Sequence, residues 1–362
     1  MYFLRIILWP VSLLYGIGAY LYHWLYNMGI LSSKTFSVPT ISVGNITVGG
    51  TGKTPHVEYL IKMLVEEGVV SEGNLATLSR GYGRATSGFL FVENNATSFE
   101  VGDEPRQFKR KFSKLNVAVS EDRTYGIQML MSKMPNMSAV LLDDAYQHRK
   151  IKPGFSVLLI DYHFFSKSQY LLPTGNLREP KSGIKRADAI VITNSPSLLS
   201  PIERRRILKN LNPSIDVKVY HSGVSYGETV PLFKTDEFKI HPKKFYFDND
   251  YTVLLITGLA NPTAIGDYYR QNFKKLIHLQ FPDHHEYTME DIKGIKKKFN
   301  NIVNQKKVVF TTEKDAMRFT VPGLIKSLSD LPIFYLPIRI VFNNEDAKMF
   351  NSEIKEYVAK NK

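Results

Sequence analysis

Cysteine is missing from all 362 residues, which excludes disulfides and thiolate-held metals while leaving the compartment open. Acidic residues are scarce beside basic ones: 34 Asp and Glu against 47 Lys and Arg give a formal charge of +13. That imbalance asks for a partner rich in phosphate or acidic lipid. Nucleic acid is set aside as that partner, because the basic residues are scattered in short groups at 106–114, 204–206 and 296–298. No helix-turn-helix, zinc module or aromatic RNP-like strand accompanies them, so they read as solvated helix faces. Internal repeats and low-complexity segments are missing too, and 43% hydrophobic with 12% aromatic residues excludes wholesale disorder.

What is present centres on residues 43–55, Val-Gly-Asn-Ile-Thr-Val-Gly-Gly-Thr-Gly-Lys-Thr-Pro. A short β-type run at 37–43 precedes it, and an amphipathic pattern of Val57, Leu60, Ile61, Leu64 and Val65 follows. Strand, glycine-rich turn and helix make a phosphate-binding loop. Gly49, Gly50 and Gly52 let the backbone around Thr51 curl so that its N–H groups converge on phosphate oxygens. Lys53 supplies a point charge for the β- and γ-phosphates of ATP, and the Thr54 hydroxyl suits Mg²⁺. The strict pattern has a glycine where this chain has Thr47. A bland glycine turn explains Gly50 and Gly52, but not Gly-Lys-Thr in register behind a strand.

Charge is absent from residues 6–22, and the only two tryptophans, Trp9 and Trp24, fall in or beside that stretch with several tyrosines. In a helix they stand about 22 Å apart, and both residue types favour a membrane interface. The stretch reaches the lower length limit of a membrane span, roughly 17 residues, although Pro10, Gly16 and Gly18 interrupt it. A cleaved signal peptide is disfavoured, since no small-residue cleavage site follows and export would part the phosphate loop from ATP. A helix lodged in or across a bilayer is the favoured reading, with a buried core helix as the alternative.

Downstream, residues 138–144 form an apolar strand ending in Asp143 and Asp144, the Walker B arrangement that holds Mg²⁺ directly or through water. A solvated strand end is the bland alternative. Arg80-Gly81-Tyr82-Gly83-Arg84 offers forked donors or merely a basic turn. Asp103 and Pro105 have a sufficient structural explanation as helix N-cap and first-turn proline. Residues 172–180 are a proline–glycine loop with one carboxylate, Glu179. Strands are expected at 76–79, 155–161, 189–193, 252–256, 276–281 and 307–310, with a closing strand at 333–341 and a helix at 345–357. An exposed ribbon is expected over 217–220 and 225–230, then a lysine-rich connection at 234–244. His284 and His285 follow a strand as metal ligands or, more simply, a surface turn.

Taken together, VGNITVGGTGKTP, SRGYGR (79–84), VGDEP (101–105), DDAYQHR (143–149), LPTGNLREP (172–180), TGLANP (257–262), FPDHHEYT (281–288) and TTEKDA (311–316) resemble the tetraacyldisaccharide 4′-kinase family, the lipid A 4′-kinases of Gram-negative bacteria. They keep the family order over nearly the whole chain, and the family's loop also lacks the first glycine. The family usually shows DDGFQHR, so Ala145 and Tyr146 depart from it. Ala145 implies that no left-handed backbone is needed there, and Tyr146 keeps the aromatic body.

The resemblance implies an α/β fold: a P-loop α/β/α kinase domain over 31–228, a smaller α/β/α domain over 229–362 joined by a β-ribbon, and a membrane-associated helix over 1–30. It implies transfer of the ATP γ-phosphate to the 4′-hydroxyl of tetraacyldisaccharide 1-phosphate at the cytoplasmic face of the bacterial inner membrane. In that scheme Asp103 is the base on the sugar hydroxyl, assisted by His284. Lys53, Thr54, Asp143, Asp144 and Glu179 surround Mg-ATP. A membrane-attached nucleotide switch without a lipid acceptor is the alternative. Its guanine-reading Asn/Thr-Lys-x-Asp string is not matched by Thr312-Glu313-Lys314-Asp315.

Overall fold

The computed structural model describes residues 2–166, 169–196, 198–233 and 238–361. Residues 234–237 of the expected lysine-rich connection lie outside them. The strands in chain order are β1 (Thr40–Asn45), β2 (Leu75–Ser79), β3 (Leu90–Phe91), β4 (Asn116–Val119), β5 (Ala139–Asp143), β6 (Phe155–Asp161) and β7 (Ala189–Thr193). They continue with β8 (Lys218–Tyr226), β9 (Val230–Pro231), β10 (Thr252–Thr257), β11 (Lys275–Gln280), β12 (Lys307–Thr311), β13 (Ile333–Tyr335) and β14 (Ile338–Phe342).

Two sheets result. The larger runs β14-β8-β7-β6-β1-β5-β2-β4-β3 and the smaller β11-β10-β12-β13-β9. Both are parallel in their centres, and among the described strands β3–β4, β8–β14 and β13–β9 pair antiparallel. The central strands are buried along their length and read as near-continuous apolar runs, Ala-Val-Leu-Leu-Asp in β5 and Ala-Ile-Val-Ile-Thr in β7. Helices covering both faces of a parallel sheet leave no side to solvent, so strict alternation is not required. The helix Lys53–Glu66 lays Val57, Leu60, Ile61 and Leu64 into one core with Ile41 and Val43 of β1. β1 sits between β5 and β6, so the carboxyl ends of β1 and β5 open together where ligands of such sheets bind.

Three expectations change in detail. The single closing strand at 333–341 is two strands in different sheets, β13 and β14. Pro337 between them has no N–H to give a ladder, and the chain crosses over there. The ribbon at 217–230 is one long strand, β8, followed by the short β9 in the other sheet. Finally, the second block does not run to the end: β14 returns to the large sheet. The helix Asn344–Lys360 packs Phe350, Ile354 and Val358 into the same core as Ile41. The two crossings lie side by side, with Gly227 N donating to Pro337 O at 2.7 Å.

The N-terminal helix spans Tyr2–Asn27 with Pro10 inside it. Trp9, Leu14, Ile17 and Tyr20 are all exposed, so the buried-core alternative fails. Among the described residues no helix is long and apolar enough to cross a membrane. Tyrosines, glycines and a histidine dilute its apolar face.

Candidate active site

At the end of β1 the chain enters the phosphate loop, which is pinned from two sides. Asn45 Nδ2 donates to Thr51 Oγ1 at 2.9 Å, and Val48 N donates to Asn176 O at 2.8 Å. Gly49 and Gly52 have φ of 108° and 78°, backbone that favours glycine, and Gly52 is the N-cap of the helix that follows. No side chain caps that helix, so its first N–H groups and its dipole face the loop. Gly50 has open space around it, Thr51 is buried beneath the loop, and Lys53 and Thr54 open the helix half-buried. Lys53 Nζ lies 3.6 Å from Asp144 Oδ2.

The two strand-end aspartates differ. Asp143 is buried and its Oδ1 has no hydrogen-bond partner. Burial first, then the charges of Asp144 and Glu104, push it up to about 7 against the pull of Lys53 and Arg123. A carboxylate so placed wants a cation. Asp144 turns out of the strand at φ 50° and pairs with Arg178 at 3.1 Å as well as with Lys53. The left-handed residue of this turn is therefore Asp144, and Ala145 needs no glycine. Mg²⁺ is held by one or two carboxylates plus phosphate oxygens and waters, and Asp143 with Asp144 fits that demand. Glu179 does not join them. Its buried carboxylate takes both oxygens to Arg186, at 3.0 and 2.9 Å, and receives His23 Nε2 at 2.9 Å. A metal bound by Glu179 would have to displace these partners, so its metal role stays a proposal. Among the described residues no three His, Asp or Glu side chains cluster as a metal site, the paired histidines included.

Asp103 proves not to be a helix cap. Gly102, at φ 94°, occupies that position, and Asp103 opens the helix Asp103–Lys111 without a side-chain capping bond. Its buried carboxylate faces the second block instead. Arg318 Nε and Nη2 donate to Oδ2 at 2.9 and 2.7 Å, and His284 Nδ1 lies 3.4 Å from the same oxygen. Burial raises this carboxyl, but the hydrogen bond from His284 and the Arg318 guanidinium outweigh it and hold Asp103 below the usual range. His284 is poised at φ 56° in its turn, with Lys314 Nζ 3.1 Å from Nε2 and the Tyr82 ring 5.1 Å away. Neighbouring His285 is structural: it stacks on Phe281 and sits 3.1 Å from Asp291. The next residue after Asp103, Glu104, pairs with Lys314 at 3.1 Å and is close enough to raise Asp143. The base candidate and the metal candidate are thus linked through Glu104.

The N-terminal helix rests on the 171–179 loop beside the phosphate loop. Ser12 Oγ donates to Thr174 Oγ1 at 2.6 Å, Tyr15 OH to Arg178 O at 2.6 Å, and His23 meets Glu179. Between helix and loop is a cavity of about 630 Å³ reached by Tyr15, Ala19, Gln147, Arg178 and Glu179. Sequence reasoning missed Arg178, Lys314, Arg318 and His23. The signal for Lys314 and Arg318 was present: four residues apart behind a Thr312 cap, they share one helix face.

The family model for tetraacyldisaccharide-1-P 4′-kinase matches residues 4–358. Tetraacyldisaccharide 4′-kinase of Phocaeicola vulgatus is 38% identical over 98% of this chain and 95% of its own. That of Flavobacterium johnsoniae is 38% identical over 99% and 98%. A solved structure titled the "apo" form of LpxK from Aquifex aeolicus in complex with ATP superposes with a TM-score of 0.72 at 25% identity, covering 99% of both chains. On these likenesses the chain belongs to the tetraacyldisaccharide-1-P 4′-kinase family.

Proposed function

We propose that this protein transfers the γ-phosphate of ATP to the 4′-hydroxyl of tetraacyldisaccharide 1-phosphate, with Asp103 as the base. The observation that carries this reading is a linked set of charges: a P-loop lysine paired with a strand-end aspartate, Asp103 gripped from the second block, and its neighbour Glu104 close enough to Asp143 to raise it. Loop N–H groups and Lys53 bind and orient the triphosphate, where phosphoryl transfer needs charge neutralisation and alignment more than a strong base. Bound Mg²⁺, held by Asp143 and Asp144 with Thr54 in support, would neutralise charge on the β- and γ-phosphates. Asp103 takes the hydroxyl proton as the oxygen attacks. His284 helps keep Asp103 ionised and placed. A nucleotide switch without an acceptor is not favoured, given the family.

We further propose that the lipid acceptor enters the cavity beside the N-terminal helix, and that this helix lies in one membrane leaflet at the cytoplasmic face. Its exposed Trp9, Leu14, Ile17 and Tyr20 support that placement. A labelled-phosphate assay decides between kinase and switch. Label is expected in the lipid fraction, dependent on acceptor and Mg²⁺. Label released only to water, with none in lipid, would overturn the proposal.

A further inference from the structure

The second block's three sequence motifs, TGLANP, FPDHHEYT and TTEKDA, converge on a single side chain, Arg318. Its Nη1 donates to Gly258 O and Asp315 Oδ1, each at 2.9 Å, while Nε and Nη2 both go to Asp103. Asp315 is fully buried and is itself held by Gly258 N at 2.9 Å, Thr312 Oγ1 at 2.6 Å and Tyr287 OH at 3.1 Å. A Cβ at Gly258 would stand 2.8 Å from Asp315 Oδ1 and 3.1 Å from Arg318 Nη1, so the socket is closed to a larger residue. A planar guanidinium bonded through all three nitrogens cannot turn.

We propose that Arg318 is the positioning residue of the catalytic base, gripping one oxygen of Asp103 so that the other meets the acceptor hydroxyl. This rests on Asp103 being that base. All three contacts to the carboxylate from Arg318 and His284 fall on Oδ2, which leaves Oδ1 for the incoming proton. In the reaction the acceptor oxygen forms a bond to the γ-phosphorus and its proton passes to Oδ1. The bond from phosphorus to the β,γ-bridging oxygen breaks, its electron pair leaving with ADP. The contacts from Arg318 are shorter than that from His284, so the guanidinium sets the direction of the carboxylate.

It also sets its ionisation. The charged or titratable groups facing Asp103 are Arg318 and Lys314 from the helix Glu313–Phe319, and His284 with Asp283 behind it. Glu104 lies on its own helix, and Asp315 and Tyr287 act through Arg318. Arg318 is the one cation bonded twice to the carboxylate.

The test is the pH profile of kcat for the full chain with saturating ATP and lipid acceptor. Arg318→Met should lower kcat by roughly 10²-fold, as a misplaced reacting group does. It should also move the acid limb up by about one pH unit, the shift expected when an Asp loses a neighbouring guanidinium, with the KM for ATP within about twofold. Arg318→Lys, which keeps the charge but not the fork, should lose rate with a smaller shift. Added guanidinium ion should restore part of the rate in Arg318→Ala, which a merely structural residue would not allow. An unshifted acid limb in folded Arg318→Met, or a wild-type rate in folded Arg318→Lys, overturns the inference. Near-normal turnover in Asp103→Asn overturns instead the assignment of Asp103 as base, whatever Arg318 does.

Discussion

Lys53 and His56 sit one helical turn apart on the same helix yet are held for opposite reasons. Lys53 stays half-open beside Asp144, a point charge waiting for phosphate. Lys53→Ala should cost about 10²–10³ in kcat, the loss typical of one transition-state donor. Far-ultraviolet circular dichroism should be unchanged, and activity within a few-fold of wild type would reject the phosphate-loop assignment. His56 is buried, with Nδ1 2.7 Å from Gly52 O and Nε2 2.9 Å from Ser222 Oγ, and burial lowers it to about 4. The unfolded chain therefore takes a proton at this ring before the folded one does, so stability falls as pH drops from about 6.5 towards about 4. The linkage amounts to about 2 kcal/mol by pH 5. Urea unfolding at pH 7.5 and pH 5 should show that loss in the wild type and a shallower one in His56→Gln. Of these residues the sequence announces Lys53, because Gly-Lys-Thr behind a strand has few other uses. It hides Arg318 and the partners of Glu179. What decides their roles is which partner lies across a fold, and no local pattern shows that Arg186 and His23 sit beside Glu179.

Among the elements, the buried strands were legible because their apolar runs are continuous, and the phosphate-loop helix because its pattern has a 3.6-residue period. The end of the chain was not. Residues 333–342 look like one strand locally, and only the pairing of β14 with β8 reveals two. The N-terminal helix was legible as unusual, while its orientation is decided by Ser12, Tyr15 and His23, which tie one face to the 171–179 loop and leave the apolar face outward. Exposed apolar area of this kind contributes roughly 25 cal/mol per Å² when covered by lipid. Leu14→Glu with Ile17→Glu should therefore reduce co-sedimentation with anionic vesicles by at least about tenfold. Neither residue touches the loop contacts, so activity on a detergent-dispersed acceptor should persist. Unchanged vesicle binding would reject the membrane role of this face.

Across the whole molecule, charge joins the two sheets. Lys111 lies 2.6 Å from both Glu58, on the phosphate-loop helix, and Glu313, at the head of the helix carrying Lys314 and Arg318. Burial pushes Glu58 up to about 7 and raises Glu313, with Lys111 opposing both. Lys111→Met would leave two buried carboxylates facing each other, a loss of about 3–5 kcal/mol where one partner of a buried pair is removed. Calorimetry should show a lower Tm, and restored stability in Lys111→Met with Glu313→Gln would locate the cause. The strand order carries a consequence of another kind. β14 and the helix after it complete the nucleotide-binding sheet but are made after every strand of the smaller sheet. The edge strand β8 ends at Tyr226 and its partner β14 begins at Ile338, so 111 residues are added between them. During that interval β8 has no antiparallel neighbour, and an unpaired edge is where chains join wrongly.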